Sequence, residues 1–167
     1  MDTNMKKGIN WLFLAPMDGP KTIFLLRLMA GSVFFWEGIL KFVYTNQGVG
    51  RFTKLGMPFP SELATFVALL EILGGLALVL GIYSRFFSLV FVMEMVVAIV
   101  TTKFALLNGT SPLAPPPVPP QVGIWAFLHE VRTDYGLLTT CLFVVLEGPG
   151  RFSLDAHSRK SNYRMEI

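Results

Sequence analysis

The chain has 167 residues, of which 53% are hydrophobic, 13% aromatic and only 15% charged, and its mean hydropathy is +0.56. Soluble domains carry about 25% charged residues, so this composition excludes an ordinary water-soluble domain, and the length allows one compact unit. The net charge of +3 comes from scattered basic residues with no basic stripe, which excludes a nucleic-acid reader. The single cysteine, Cys141, excludes an intrachain disulfide or a C-x-x-C redox pair.

Residues 1–20 read as an interfacial segment. Lys6 and Lys7 precede Ile9 to Ala15, an apolar run that Asn10 interrupts and that no A-x-A cleavage site follows. Trp11 suits the headgroup level, and Pro16, Gly19 and Pro20 break the chain before the first long apolar stretch. Four spans are expected, over about 22–43, 62–83, 86–107 and 128–147, since a hydrocarbon core of about 30 Å needs roughly 20 apolar residues. The fourth is the weakest, because its clean apolar run, Tyr135 to Leu146, is too short to cross and must recruit residues 128–134, which buries Asp134. The expected fold is therefore an all-α integral membrane protein: a four-transmembrane-helix antiparallel bundle over residues 21–150, with interfacial segments and a cytoplasmic tail at 151–167.

Between the first two spans, Phe52, Leu55 and Met57 suit the membrane surface, with Arg51 and Lys54 turned to water. Pro58 and Pro60 stop that segment, and Ser61 is a candidate N-cap for the second span. Tyr83, Ser84 and Arg85 form a tight turn into the third span, as expected of antiparallel neighbours. The loop over residues 108–127 holds six prolines and favours an extended polyproline conformation. It reads as a rigid crossover or as a docking strap for a partner subunit. Basic residues concentrate on one side if both termini are cytoplasmic, so the positive-inside rule orients the chain that way in the inner membrane.

The charges within the spans are the main functional signal, since each costs at least about 2.5 kcal/mol in hydrocarbon unless it finds a partner or water. At a rise of about 1.5 Å per residue from the inner span ends, Arg27 and Glu94 fall at roughly 8 and 12 Å, and Glu71, Asp134, Glu37 and Lys41 at roughly 18–26 Å. An inner tier of Arg27, Arg85 and Glu94 is expected, with Arg27 free to pair with Glu94. A middle-to-outer tier gathers Glu37, Lys41, Glu71 and Asp134, with Lys103 at its edge. Glu37 and Lys41 stand i,i+4 with the acid first, a favourable order. Glu71 shares its helix face with Gly74 and Gly75, where a neighbouring backbone can approach closely. Two readings fit this pattern: ion pairs that hold the helices together, or a polar pocket for a quinone, a proton or a small polar ligand. The two histidines, His129 and His157, lie at opposite sides, so the chain alone cannot hold a haem between them. No Cys/His cluster suggests a metal site, and no nucleotide-binding or nucleophile-elbow motif is present.

In order and spacing, these residues resemble the DoxX family of small four-helix membrane proteins. The matching patterns are Arg27-Leu28…Gly31…Phe34…Gly38…Lys41, Phe52…Leu55-Gly56…Pro58, Glu71…Gly74-Gly75…Leu78…Gly81…Arg85, Asp134-Tyr135…Leu138, and Gly148-Pro149-Gly150-Arg151…Ser153-Leu154-Asp155. The resemblance covers about residues 20–156 and implies a four-helix bundle associated with respiratory or sulfur redox chemistry. Members include a membrane subunit of thiosulfate:quinone oxidoreductase, and others look like partners of thiol-stress and superoxide-defence enzymes. The proline-rich loop departs from the short crossover of a minimal member, and the paired cysteines of four-helix thiol-oxidising enzymes are lacking. The resulting expectation is a membrane subunit of a quinone-linked oxidoreductase complex, with quinone as its candidate cofactor, other redox subunits as partners, and Glu37, Lys41, Glu71 and Asp134 at the site. The alternatives are a non-catalytic assembly or scaffold subunit and a small-solute or proton pathway.

Overall fold

A computed structural model describes residues 11–13, 18–115, 117–118 and 120–158, and these contain helices and no strand. Helix α1 (Ile23–Val43) starts just past Pro20 and ends where Tyr44 becomes extended. A short helix, α2 (Val49–Lys54), leads into α3 (Pro60–Leu80). Helix α3 begins at Pro60 rather than at a Ser61 cap, because proline at the first helical position has the right φ and lacks the N–H that would go unpaired there. It ends at Leu80, three residues short of the expected Tyr83, because Gly81 takes the left-handed conformation (φ 77°) that closes a helix.

Helix α4 (Ser84–Ala98) runs on through a π turn (Ile99–Lys103) and a 3-10 turn (Phe104–Asn108) until Gly109 stops it. The last long helix, α5 (Ile124–Glu147), is 24 residues long and starts four residues before the expected 128, directly after Gly123. Three of these helical stretches, Ile23–Val43, Pro60–Leu80 and Ser84–Asn108, are long and apolar enough to cross a membrane. Helix α5 has the length, but Glu130, Arg132 and Asp134 occupy its first half.

The long helices pack mainly as two pairs. In the first, Gly31 of α1 opposes Gly75 of α3, and Gly38 opposes Ala68, so rising numbers on one helix meet falling numbers on the other and the pair is antiparallel. A Cβ at either α1 glycine would stand 2.6 Å from a backbone oxygen of α3, so only glycine admits this approach. Gly74, beside Gly75, serves a different neighbour: it makes room for Phe87 and Phe91 of α4. The second pair joins α4 to α5, with Arg85 reaching Leu146 at one end and Lys103 reaching Glu130 and Asp134 at the other. Between the pairs, the Phe34 and Phe91 rings stack with centroids 3.8 Å apart. Around them Ala30, Leu78, Met95, Leu137, Cys141 and Val144 complete a buried core.

Candidate functional site

The charged residues divide between the two ends of the helices. At the end where residues 11–13 and 148–158 lie, hereafter the terminal end, Arg27 is only 1% exposed. Its Nη1 donates to the carbonyl of Pro149 (2.7 Å), and its Nη2 donates to those of Val79 (3.1 Å) and Phe152 (2.7 Å). These carbonyls belong to the last turn of α3 and to the Gly-Pro-Gly-Arg-Phe loop after α5, where the helices leave oxygens unpaired. Arg85 acts similarly, donating to the carbonyls of Trp11 (2.9 Å) and Leu146 (3.2 Å) and packing over the Trp11 ring. Asp155 completes the end by accepting from the backbone N–H groups of Tyr83 (3.1 Å) and Ser84 (3.3 Å), which caps α4 from a distant part of the chain.

The far end holds a cavity of about 480 Å³, walled by α1, α3, α4 and α5 and covered by α2. Its floor is apolar, with Phe34, Met95 and Leu137. Above the floor, Lys41 Nζ contacts Glu71 Oε2 at 2.5 Å, with both side chains largely buried. Glu94 of α4 lies beside Glu71 on the same wall. Its Oε2 is buried with no hydrogen-bond partner among the described residues. Nearer the mouth, Lys103 Nζ stands 3.7 Å from Asp134 Oδ2 and 3.9 Å from Glu130 Oε2, and Arg51, Gln47 and Arg132 line the rim. In all, five carboxyl groups face four basic side chains across this cavity. The π turn of α4 supplies Thr101, Thr102 and Lys103 to the wall. Such one-turn π segments recur where a helix serves a site.

Glu37, Lys41, Glu71 and Asp134 all lie on this wall, Glu37 at an exposed edge. Arg27 and Arg85 lie at the opposite end. Glu94 does not join Arg27: the arginine is committed to carbonyls, and Glu94 stands beside Glu71 instead. The helix ends explain this difference. With α3 ending at Leu80, Glu71 is about 14 Å from the terminal end, and with α4 starting at Ser84, Glu94 is about 15 Å from it. The two carboxyls thus share one level. Phe52, Leu55 and Met57, expected on the membrane surface, and Arg51, expected to turn to water, line the cavity. Gln47, Thr102 and Arg132 also belong to its wall, and no spacing rule in the sequence marked them. Lys6, Lys7, Arg159, Lys160 and Arg164 lie outside the described residues.

Three apolar helices of membrane-spanning length, with a cavity of charged residues held between helix pairs, define a small helical membrane protein. The family model for DoxX matches residues 22–103. An "Uncharacterized membrane protein Rv3486" of Mycobacterium tuberculosis is 36% identical over 152 residues, covering 90% of each chain. The chain therefore belongs to the DoxX family. "Putative oxidoreductase CatD" of Bacillus subtilis is 28% identical over 131 residues, covering 78% of this chain and 82% of its own. No solved structure matches.

Proposed function

We propose that the protein is a membrane subunit of a quinone-linked oxidoreductase complex and that the far-end cavity is its quinone site. The observation that carries this reading is the Lys41–Glu71–Glu94 cluster above an apolar floor, with an unpartnered buried carboxyl oxygen on Glu94. Small-molecule sites are commonly cavities of about 300–1,000 Å³ with apolar walls and a few convergent polar groups, and this one fits that description. Lys41 can donate to a quinone oxygen. The Glu71–Glu94 pair can hold one of the two protons that a quinone takes up on two-electron reduction. Side chains of this kind move protons rather than electrons, so the electron donor belongs to a partner subunit. The relative named as an oxidoreductase supports the redox assignment. In this reading α5 makes a fourth crossing with Asp134 buried against Lys103, and both termini face the cytoplasm of the inner membrane.

The 2.5 Å contact between Lys41 and Glu71 also favours a second reading, a scaffold subunit whose ion pairs only join α1 to α3. Binding of a short-tailed quinone analogue to the purified protein in lipid nanodiscs separates the two. A quinone site predicts saturable binding that E94Q weakens about tenfold, the size of one hydrogen bond to a charged group, with little change in melting temperature. Absence of saturable binding by the wild-type protein rejects the quinone site, and loss of folded protein on E94Q without any change in affinity supports the scaffold.

A further inference from the structure

A second cavity, of about 400 Å³, lies at the terminal end and shares no residue with the first. Its charged and titratable side chains are Arg27, Arg151 and His157, and no carboxylate lines it. Arg27 is almost wholly buried and keeps its Nε without a hydrogen-bond partner among the described residues. A guanidinium has five N–H donors, and only three bonds to carbonyls are made here. Arg151 and His157 are exposed and take part in no ion pair among the described residues. The nearest acid, Asp155, turns its oxygens to the Tyr83 and Ser84 N–H groups. Asp155, outside the groove, lies within electrostatic reach of Arg27, so the charge the groove leaves open to a ligand is mainly that of Arg151, which no carboxylate on the wall meets.

The rest of the wall is apolar and faces outward. Phe152 is 63% exposed, Leu154 49% and Leu80 43%, while Phe24 stands edge-on to Phe152 with centroids 5.7 Å apart and beneath the Arg27 guanidinium at 5.8 Å. Arg27 holds the Phe152 carbonyl, so the loop that carries Arg151 and Phe152 is fixed against α1 and α3. A basic recess with exposed apolar side chains at the end of membrane helices has the chemistry of an anionic phospholipid: phosphate on the cations, acyl chains along the rings. We propose that this groove binds the headgroup phosphate of an anionic phospholipid, with Arg151 and His157 as its outer contacts and Arg27 as its floor. The apolar rim favours a lipid over a free phosphate ion, which would leave Phe152, Leu154 and Leu80 without a partner. The assignment does not depend on the quinone reading.

The test uses the full-length protein in detergent, titrated with short-chain phosphatidylglycerol or phosphatidylcholine and read by native mass spectrometry. The expected result is a preference for phosphatidylglycerol that falls about fivefold in R151Q, the size for one basic side chain near an anionic surface, and falls further in the R151Q/H157Q double variant, which also loses the imidazole as a hydrogen-bonding contact. Arg27 is left intact so that the fold is preserved. Equal binding of the two lipids by the wild-type protein overturns the proposal. So does an undiminished preference in the R151Q/H157Q double variant, which would assign the effect to the basic residues beyond 158. Competition by inorganic phosphate at the same concentration as the lipid would assign the site to the free anion and overturn the lipid assignment.

Discussion

The two ends of the helices solve the same electrostatic problem in opposite ways. At the terminal end, Arg27 and Arg85 are satisfied by backbone carbonyls of the turns between helices, and the chain closes around them. At the far end, Lys41 and Lys103 meet carboxylates at distances from 2.5 to 3.9 Å, and an open volume of about 480 Å³ remains between the charged side chains. A carbonyl that accepts from a guanidinium cannot take up or release a proton, so Arg27 and Arg85 themselves serve the fold at this end. Carboxylates and lysines can exchange protons and accept a new partner, so the open end can also bind. The burial of a charge in a membrane helix is therefore no guide to its role. What matters is whether its partners are backbone or titratable, and whether space is left beside it.

The strongest break of this contrast is at Arg27. Replacing it with leucine leaves the carbonyls of Pro149, Val79 and Phe152 without their donor, and each unsatisfied buried group costs about 1–3 kcal/mol. The expected loss is roughly 4 kcal/mol or more, seen as a large fall in melting temperature in detergent. Lysine should not rescue it, because a compact ammonium cannot span carbonyls from α3 and from the Pro149–Phe152 loop as a planar fork does. A lysine variant as stable as the wild type would show that charge, rather than the fork, secures this end.

At the open end the effect is smaller and repairable. Lys41→Met strands Glu71, and breaking a buried pair from one side costs about 3 kcal/mol. Adding Glu71→Gln removes the stranded charge, so the K41M/E71Q double variant should recover most of that loss, with a coupling energy of about 1–3 kcal/mol. Additive losses in a double-mutant cycle would mean that the 2.5 Å contact carries no net interaction. No second substitution of this kind can repair Arg27→Leu, since its partners are main-chain atoms. That difference in reparability is the sharpest test of the contrast between the ends.

Much of this arrangement was legible in the sequence. Hydropathy marked four spans, three of which are helices long and apolar enough to cross a membrane, and the charges at Glu37, Lys41, Glu71 and Asp134 pointed to one tier because depth grows evenly along a helix. Two kinds of information were not local. The ends of α3 and α4 depend on Gly81 and Tyr83 taking left-handed conformations (φ 77° and 46°), and a shift of two or three residues there moved Glu94 from the expected partner of Arg27 to the neighbour of Glu71. The partners of Arg27 are backbone atoms 52 to 125 residues away, and no side-chain pattern announces a carbonyl. The π turn at Ile99–Lys103 contains neither glycine nor proline, so nothing in its composition signals that it aims Thr102 and Lys103 into the cavity.

Asp155 offers the mildest test, because it is a titratable group that the closed end ties to the backbone of α4. Burial raises its carboxyl pKa above the ordinary range, and the Tyr83 and Ser84 N–H groups and the Arg27 charge pull it partly back. A raised value in the folded state means that the folded protein holds this proton more tightly than the unfolded chain does. Its contribution to stability is therefore fully present below the unfolded pKa and is lost as pH rises through the folded one. Stability should fall slightly as pH rises above the ordinary carboxyl range, and Asp155→Asn should flatten that slope. The amide oxygen can still accept from one of the two N–H groups, so the variant should differ from the wild type by no more than about 1 kcal/mol at low pH. Melting temperatures of both proteins between pH 4 and pH 8 check this. A slope of the opposite sign in the wild type, absent in the variant, would show that the two backbone donors outweigh burial and that Asp155 caps α4 as a fully charged group.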